Sequence, residues 1–535
     1  MKRILCLFLI LVCLLMTTSC DYLAALLGDG TEATSETAHI CDFTLEVAEE
    51  QYLRATATCE RPALYYHSCS CGLMGSTWFS YGEMGEHTFS VKKAGKEYLK
   101  RGATVNSPAT YYKSCQCGAI GEETFTYGGK LKAEAYTPCS LTVTMYDAAS
   151  SVYGFTYNSV KEPVDPVIRI KKVGETEFLE FSFASEKATS YDRDDKGISY
   201  YISKAEASLL PDTSYVYYLY DKSTEVATDE MTLTTGNPNA ESFTFVHVSD
   251  SQGGATEFGR VLAAVADDAD FLIHTGDVVE YSKYEEEWEE MLDGNAEYLT
   301  GLPVMPISGN HETTYRNGSN ETDKHFNNGM PTQNSTDLGY FYSFIYGNVK
   351  FIMLNTNDLT SSKQLKPEQY NWLVAELASN TCRFTVVSMH NPMYSVGKYG
   401  ANPESNAIAL ALRAQLGGLF AEYGVDLVLQ GHDHVVSRTY ALDANGVAVT
   451  ETVETVNGVD YLLDPQGVIY IMNGPAGSQT RSPYEVDADL YAYAEASKKA
   501  SWAEIKVDGD TLTVTVKWSD STGEHTYRTF GIKKS

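Results

Sequence analysis

The residues best suited to chemistry lie in the second half of the chain, where polar side chains follow short apolar segments. Asp250 follows FTFVHVS, Asp277 follows DFLIHTG, and His390 follows RFTVVSM. LPVMPISG leads into Asn310-His311, and VDLVLQG leads into His432-Asp433-His434. Such segments alternate with helical patterns, which predicts buried strands of an α/β domain. The carboxyl ends of these strands are where ligand sites form.

These side chains are oxygen and nitrogen donors, which suit zinc, iron or manganese better than soft metals. A lone histidine usually has a packing role, but five strand ends that each carry a donor predict one metal site. His247 and His274 lie inside the predicted strands, so we expect them to be packed and hydrogen-bonded in the core. His325 lies on a segment that could border the substrate, although nothing in its neighbourhood decides this.

Taken together, the motifs resemble those of the calcineurin-like metallophosphoesterase family over residues 240–440. The matching motifs are Asp250-x-Gln252, Gly276-Asp277, Gly309-Asn310-His311-Glu312, His390 and Gly431-His432-Asp433-His434. The resemblance implies a phosphoester hydrolase that holds two metal ions, iron, manganese or zinc, and attacks phosphorus with a metal-bound hydroxide.

The same resemblance implies a role for each matching residue. Asp277 would bridge the two ions. One ion would be completed by Asp250, Gln252 and His434, and the other by Asn310, His390 and His432. His311 would be catalytic beside Asp277, holding a phosphate oxygen or protonating the leaving alkoxide. Glu312 would orient an imidazole from behind the ligands.

Two positions depart from the family pattern. Gln252 stands where the family usually has His, and an amide oxygen is the weaker ligand for zinc or ferric iron. Purple acid phosphatases, a branch of the family, carry a tyrosine ligand three residues after the bridging aspartate. Glu280 occupies that position here, followed by Tyr281. Glu280 is therefore either an extra ligand or a solvated acid at a helix start, and we favour the solvated acid.

Residues 133–237 read as short alternating strands separated by turn residues, a pattern typical of a β-sandwich. This segment resembles the fibronectin-type-III-like domain that precedes the catalytic domain of purple acid phosphatases. The resemblance therefore implies a multidomain fold, with an all-β sandwich in front of a metallophosphoesterase domain at 240–535 that is itself a layered α/β β-sandwich.

Residues 39–130 contain two tandem copies of one small module. Copy one begins at Tyr52 with YLRATATCERPALYYHSCSCGLMGSTWFSYG, and copy two begins at Tyr98 with YLKRGATVNSPATYYKSCQCGAIGEETFTYG. The two copies align with each other without a gap. Copy one offers four cysteines, and copy two offers a histidine and two cysteines. These candidate ligands are Cys41, Cys59, Cys69, Cys71, His87, Cys115 and Cys117.

Two interpretations of these residues stay open. His87 aligns with Cys41, and an exchange of Cys for His suits a zinc site but not a disulfide. The C-x-C spacing is tighter than the usual C-x₂-C, and an exported location favours disulfides. Val105 replaces the residue that matches Cys59. A module this small needs staples of one kind or the other to fold.

The N-terminus predicts export. Lys2 and Arg3 precede an apolar run, and Cys20 follows at the end of residues 1–20, which read as a lipoprotein-type signal peptide. Cys20 resembles the acylated cysteine of bacterial lipoproteins, although Thr17 stands where such sequences usually have Leu. Residues 21–38 read as a linker. We expect an extracytoplasmic protein held at the bacterial cell envelope by a lipid, with plain secretion as the alternative.

The balance of charged residues makes some classes of binding partner unfavourable. With 40 basic and 71 acidic residues the formal charge is −31, which argues against charge-driven binding to nucleic acid or to anionic membranes. Membrane contact is therefore expected only through the lipid. The favoured function is hydrolysis of a phosphomonoester. The alternatives are a phosphodiesterase or nucleotidase, and a surface binding protein with an inactive esterase domain whose repeats bind another protein.

Overall fold

The computed structural model describes residues 39–535 except 147, 150, 195, 314–320, 328–333, 337, 403 and 486–487. The signal peptide, Cys20 and the linker therefore lie outside the described residues. By main-chain contacts the described chain divides into an N-terminal unit, 39–98 with 111–125, and a C-terminal unit, 99–110 with 126–535. Within the described part, no helix is both long and apolar enough to cross a membrane.

The two repeats form strands of the same length at equivalent positions. In each copy a single turn of 3-10 helix precedes strands of three, six and eight residues. The strands are β1 (Leu53–Ala55), β2 (Ala63–Ser68), β3 (Met74–Tyr81), β4 (Leu99–Arg101), β5 (Ala109–Ser114) and β6 (Ile120–Tyr127). An aromatic pair stacks at the same place in both copies, Tyr65 on Phe79 and Tyr111 on Phe125.

The next eight strands form two antiparallel sheets within the C-terminal unit. They are β7 (Cys139–Met145), β8 (Val152–Ser159), β9 (Pro166–Lys172), β10 (Leu179–Ser182), β11 (Ala184–Tyr191), β12 (Gly197–Ser208), β13 (Ser214–Asp221) and β14 (Met231–Thr234). One sheet has the order β10-β9-β13-β14 and the other β11-β12-β8-β7. Phe155 and Tyr217 meet edge to face between the sheets, with ring centroids 5.3 Å apart. The alternation of apolar residues therefore predicts a sandwich correctly.

The remaining strands form two eight-stranded sheets. They are β15 (Ser242–Val248), β16 (Phe271–His274), β17 (Val304–Pro306), β18 (Asn334–Thr336), β19 (Gly339–Tyr346), β20 (Val349–Leu354), β21 (Phe384–Met389), β22 (Leu427–Gln430), β23 (Val436–Thr439), β24 (Val453–Val456), β25 (Val459–Leu463), β26 (Ile469–Asn473), β27 (Tyr491–Glu495), β28 (Ser501–Asp508), β29 (Thr511–Asp520) and β30 (Gly523–Lys533). Sheet I has the order β17-β16-β15-β28-β29-β30-β25-β24, and sheet II has the order β18-β19-β20-β21-β22-β26-β23-β27.

The two sheets pack through their apolar inner faces. Phe245 of sheet I meets Phe351 of sheet II, with centroids 4.9 Å apart, inside one continuous buried cluster. Each sheet contains a parallel block: β15, β16 and β17 in sheet I, and β20, β21, β22 and β26 in sheet II. The strands predicted to end in polar residues are therefore divided between the two sheets of the sandwich.

Helices cover the outer faces of both sheets. They are α1 (Ala255–Val265), α2 (Glu285–Leu292), α3 (Ala296–Leu299), α4 (Glu321–His325), α5 (Pro367–Ala378), α6 (Lys398–Ala401) and α7 (Ala407–Glu422). Residues of α1, α2 and α3 pack with sheet I, whereas α5 and α7 pack with sheet II. The result is a four-layer arrangement, helix, sheet, sheet and helix, with a double-sheet core.

Candidate active site

The predicted site residues come together where the two parallel blocks end. Asp250 and Gln252 follow β15, and Asp277 follows β16. Asn310 and His311 follow β17 in sheet I. His390 follows β21, and His432 and His434 follow β22, both in sheet II. The site therefore lies across the edges of two packed sheets, and both must be in place to form it.

The loops that carry these residues are tightly turned and closely packed. Asp250, Asp277, His432 and His434 all have positive φ, between 50° and 75°. The left-handed region costs a non-glycine residue about 1 kcal/mol or more, and such strain concentrates at functional sites. Close approach of the loops explains the glycine in GN: a Cβ on Gly309 would lie 2.1 Å from Asp277 Oδ1.

One group of donors surrounds Asp277. His390 Nε2 lies 3.3 Å from Asp277 Oδ2 and 3.0 Å from Asn310 Oδ1. Ligand atoms of Asp277, His390 and His432 lie within 4.8 Å of one another. His311 Nε2 is slightly further away, 3.8 Å from Asp277 Oδ2. This spacing matches donors that share one ion, with His311 beside them.

A second group surrounds Asp250. His434 Nε2 lies 3.2 Å from Asp250 Oδ1. The Gln252 amide satisfies both of its atoms when the nitrogen donates to the main-chain carbonyls of Asp250, at 3.2 Å, and Asp277, at 2.8 Å. In that orientation the atom 3.4 Å from His434 Nε2 is the amide oxygen of Gln252. Gln252 thus presents an oxygen to the same point as His434, as a ligand would.

Hydrogen bonds from behind fix the direction of three imidazoles. The Nδ1 atoms of His311, His390 and His434 donate to the main-chain carbonyls of Glu280 (2.7 Å), Thr275 (2.8 Å) and Gln479 (2.7 Å). Because a carbonyl only accepts, each Nδ1 carries the proton. Each Nε2 is therefore directed toward the carboxylates, which is the arrangement of a metal-binding histidine.

Glu312 does not orient an imidazole, so that expectation is wrong. Its buried carboxylate accepts main-chain N–H groups of Asp277 (2.8 Å), Gly309 (2.8 Å) and Val278 (2.9 Å). It therefore ties the loop after β16 to the loop after β17. A carboxylate is preferred here because it accepts several N–H groups at once.

Negatively charged carboxylates and positively charged imidazoles lie next to each other in the site, and each shifts the pKa of the other. Burial alone would raise the pKa of Asp277, but His390 and the nearby imidazoles hold it well below its usual range. Burial likewise lowers the pKa of His390, but the Asp277 and Asp250 carboxylates outweigh it and raise this pKa to about 9. Burial and the His390 charge lower the pKa of His432 to about 3. In the metal-free chain, the proton on His390 thus supplies positive charge at the position where the carboxylates favour a cation.

The cluster opens into a cavity of about 690 Å³. Sequence reasoning missed two basic groups in its wall, Arg481 and Lys363. Segment 395–405 contributes Tyr399 and Ser405 to the wall. No described residue of 313–340 lines the cavity, and residues 356–363 and 479–481 contribute instead. The basic side chains supply local positive charge on a chain that is strongly acidic overall.

The other polar residues have mixed outcomes. His247 and His274 are buried and hydrogen-bonded to Thr275 and Ser251, as predicted. His325 does not line the cavity; it is buried, stacks on Trp288 and contacts Glu285 at 3.2 Å.

Two acidic residues after β16 are less exposed than such residues usually are. Glu285, the first residue of α2, is buried and accepts a hydrogen bond from Asn158 at 2.7 Å. Glu280 was favoured as a solvated acid, but it lines the cavity and accepts a bond from Gln479 at 2.6 Å. Tertiary packing, which local sequence does not reveal, decides both positions.

Two apolar-faced sheets with helices outside and a carboxylate–imidazole cluster at the strand ends define the metallophosphoesterase-type α/β sandwich. Residues 243–436 match the calcineurin-like phosphoesterase family model.

Comparison with individual proteins points to one branch. An uncharacterized protein of Mycobacterium tuberculosis is 29% identical over 207 residues, which cover 36% of this chain and 38% of that protein. Purple acid phosphatase 15 of Arabidopsis thaliana is 25% identical over 211 residues, 38% of this chain and 35% of that protein. The chain thus aligns with little more than a third of the length of these relatives.

A purple acid phosphatase from yellow lupin seeds has a similar solved structure. Its TM-score is 0.63 at 16% identity, and the match covers 80% of each chain. At this identity the likeness demonstrates a shared fold.

Proposed function

We propose that the chain hydrolyses phosphate monoesters at a two-metal site. The observation that carries this proposal is the convergence of both donor groups, with Asp277 between sheets I and II, on the floor of a cavity whose wall bears Arg481 and Lys363. Two of the relatives are named as acid phosphatases, which supports the choice of substrate class.

The donors fit two cations. Asn310, His390 and His432 would hold one ion, Asp250, Gln252 and His434 the other, and Asp277 both. The fixed Nδ1–H bonds and the outward amide oxygen of Gln252 support this set. Bound ions would lower the pKa of a water molecule and neutralise the charge that develops on phosphorus. Zinc, iron and manganese all suit these donors.

The chain's own side chains would orient the ester and move one proton. Arg481 and Lys363 would attract the phosphate and hold its outer oxygens. His311 Nδ1 donates to Glu280, so Nε2 carries a proton only when the imidazole is charged. In that form Nε2 would donate its proton to the leaving alkoxide as the P–O bond breaks. This role makes turnover depend on charged His311.

The test is hydrolysis of a panel of monoesters, measured as phosphate release, and of diesters, measured as release of the alcohol, by the metal-supplemented chain. We expect monoesters to be hydrolysed faster than diesters. Asp277→Asn, which keeps the shape but removes the charge, should reduce turnover at least about 1,000-fold, since it weakens both ion sites. Asp268→Asn changes an exposed carboxylate of the same domain and serves as the matched control.

Each alternative has its own result in this assay. Faster hydrolysis of diesters or of nucleotides would make the chain a phosphodiesterase or nucleotidase. Equal activity in wild type and Asp277→Asn would refute the two-metal mechanism. No turnover with zinc, iron or manganese would favour a binding protein with an inactive domain.

We further propose that the protein acts outside the cytoplasm and is anchored through Cys20. The apolar run before Cys20 supports this proposal. Metabolic labelling with a fatty acid, followed by detergent-phase partitioning, tests it. We expect label and partitioning in wild type and neither in Cys20→Ala. Labelling that persists in the variant would contradict the anchor.

We also propose that β7–β14 form a fibronectin-type-III-like domain. Two facing antiparallel sheets and a core of alternating residues support this. An experimental structure would test it through the order in which the chain crosses between the two sheets.

A further inference from the structure

The cysteines and histidines of the N-terminal unit form two separate clusters of four. Site A contains His39, Cys41, Cys69 and Cys71, and site B contains Cys59, His87, Cys115 and Cys117. Within each site every ligand atom lies within 4.8 Å of the others. We propose that each site binds one zinc ion in a tetrahedral Cys₃His shell and that site B joins the two repeats.

The distances between ligand atoms suit an ion better than a disulfide. Cys41 and Cys71 have their Sγ atoms 3.5 Å apart, and Cys59 and Cys115 have theirs 3.4 Å apart. A disulfide needs about 2.05 Å. Ligands of a tetrahedral zinc ion, with Zn–S of about 2.3 Å, lie about 3.7 Å from one another. These sulfur pairs are therefore close to the edges of such a tetrahedron.

The two nitrogen ligands contact sulfur in the same way. His87 Nδ1 lies 3.4 Å from Cys117 Sγ in site B. His39 Nε2 lies 2.7 Å from Cys69 Sγ in site A, a hydrogen-bond distance that an entering ion would lengthen. Each cluster has an odd number of thiols, three, so disulfides within a site would always leave one thiol and one imidazole unused. An ion uses all four groups.

The repeat explains which ligands are shared. Cys41, Cys69 and Cys71 align with His87, Cys115 and Cys117, so each copy supplies three ligands at equivalent positions. The fourth ligand differs. Site B takes Cys59 from copy one, whereas site A takes His39, which precedes the first copy. Sequence reasoning placed Cys59 with Cys41, Cys69 and Cys71, so the structure changes that grouping.

This scheme also accounts for Val105, the residue aligned with Cys59. By the same pattern, a cysteine at position 105 would be the fourth ligand of a site in a third copy. The chain continues into the sandwich instead of a third copy. The main-chain N–H of Val105 donates to Thr224 at 2.9 Å, and Thr104 Oγ1 donates to Glu225 at 2.9 Å. The segment that would carry a ligand thus contacts the sandwich. The fourth ligand of each site comes from the chain before the copy that it completes.

Apolar packing contributes little stability to the N-terminal unit. Its buried residues are few, and two of them are Cys69 and Cys115 themselves. Trp78, Leu73 and Met74 are exposed, so the strands bury little apolar area. Domains this small usually need a metal ion or disulfides to fold. Two ions, one of them bound by both copies, would supply that constraint.

Cobalt substitution in the full-length reduced chain tests the proposal. Thiolate-bound cobalt gives a sulfur-to-metal charge-transfer band, which the oxygen and nitrogen donors of the active site cannot produce. We expect two thiolate-bound ions per chain. Cys41→Ala/Cys71→Ala should remove site A and about half of the band, and Cys115→Ala/Cys117→Ala the other half. Cys382→Ala, a half-buried cysteine of the catalytic domain, is the control and should change nothing.

Cys59 gives the sharpest result. Added to the site A double variant, Cys59→Ala should abolish the remaining band, whereas added to the site B double variant it should have no effect. Cys59→His should restore binding and so separates loss of a ligand from misfolding. The opposite dependence, or no band in wild type, would overturn the proposal. Peptide mapping of the protein isolated from the compartment in which it resides is a further test. A Cys41–Cys71 or Cys59–Cys115 disulfide in that sample would also overturn the proposal.

Discussion

Glu312→Gln tests whether a buried carboxylate behind the ligands holds the active site together. Glu312 receives main-chain N–H groups from the loops after β16 and β17, at 2.8 to 2.9 Å. A glutamine keeps the shape but has only one oxygen. If that oxygen serves Asp277 and Gly309, the new NH₂ group faces the N–H of Val278, and two donors meet in a buried position.

The cost follows from these contacts. One buried N–H left without an acceptor costs about 1–3 kcal/mol, and the two remaining bonds lose the strength that a charged acceptor gives them. The substitution also removes an unfavourable charge, because burial and the Asp277 carboxylate raise the pKa of Glu312 to about 7. We therefore expect a net loss of about 1–3 kcal/mol in the free energy of unfolding.

The consequence for function is larger than the stability loss suggests. Asp277 and Asn310 follow the two loops that Glu312 joins, so their ligand atoms would lose their spacing. Groups behind metal ligands typically change metal affinity or activity by about 10- to 100-fold. Calorimetric titration with manganese or zinc, phosphate release and denaturant unfolding measure the three effects on one preparation.

Glu285→Gln is the matched control. Glu285 is also buried and accepts a side-chain hydrogen bond from Asn158, but it does not line the cavity. It should lose stability while metal affinity and turnover stay as in wild type. The reasoning would be refuted if Glu312→Gln behaved in the same way, with full metal affinity and turnover.

Four further predictions concern the ions and the substrate. Because a ligand imidazole must be neutral and the pKa of His390 is raised to about 9, binding should release a proton, and affinity should rise by up to about tenfold per pH unit between 6.5 and 9 in calorimetric titrations. The raised pKa also means that pairing of His390 with Asp277 stabilises the metal-free chain fully below pH 6.5, and this stability should be lost as pH rises through 9 in unfolding experiments. Arg481→Ala should raise KM about tenfold with little change in kcat, since its cation holds the substrate in ground and transition states alike. Gln252→His should retain metal longer during dialysis against a chelator, by about tenfold, because imidazole is the stronger ligand.

These predictions have clear contrary outcomes. Metal affinity that is independent of pH would mean that no proton leaves His390. An Arg481→Ala chain with unchanged KM would place the substrate elsewhere in the cavity. Faster metal loss from Gln252→His would show that the amide's bonds to the carbonyls of Asp250 and Asp277 matter more than the ligand type.

Much of the fold follows from local pattern. The apolar runs before Asp250, Asp277 and His390 are β15, β16 and β21, and the helical patterns between such runs include α5 and α7. Strand pairing could not be predicted in this way. Alternation and length identify a strand, but the partner depends on contacts distant in sequence, such as β15 with β28. Which strands belong to which of the two sheets was therefore visible only in the structure.

The site was predictable where residues follow strands directly and hidden where they do not. Arg481 carries no motif, yet it follows β26, which runs parallel to β22 and ends at the same edge. The apolar run VIYIMNG at residues 468–474 was thus a usable signal that the chain beyond it lines the site. No such signal existed for Lys363, which precedes α5 and reaches the cavity through the path of its loop.

The backbone conformation and the buried carboxylates of the site are better suited to binding ions than to stabilising the fold. Four of the seven candidate ligands have left-handed backbone, and Asp250, Asp277 and Glu312 bring three carboxylates into the interior. Without ions these features cost free energy, through strain at the turns and through burial of charge. Protons on His390 and His434 offset part of the charge, but they do so at positions where imidazole nitrogen should meet a metal. Such a cluster is expensive as a protonated network and favourable around cations, so its geometry is better explained by ion binding than by folding stability.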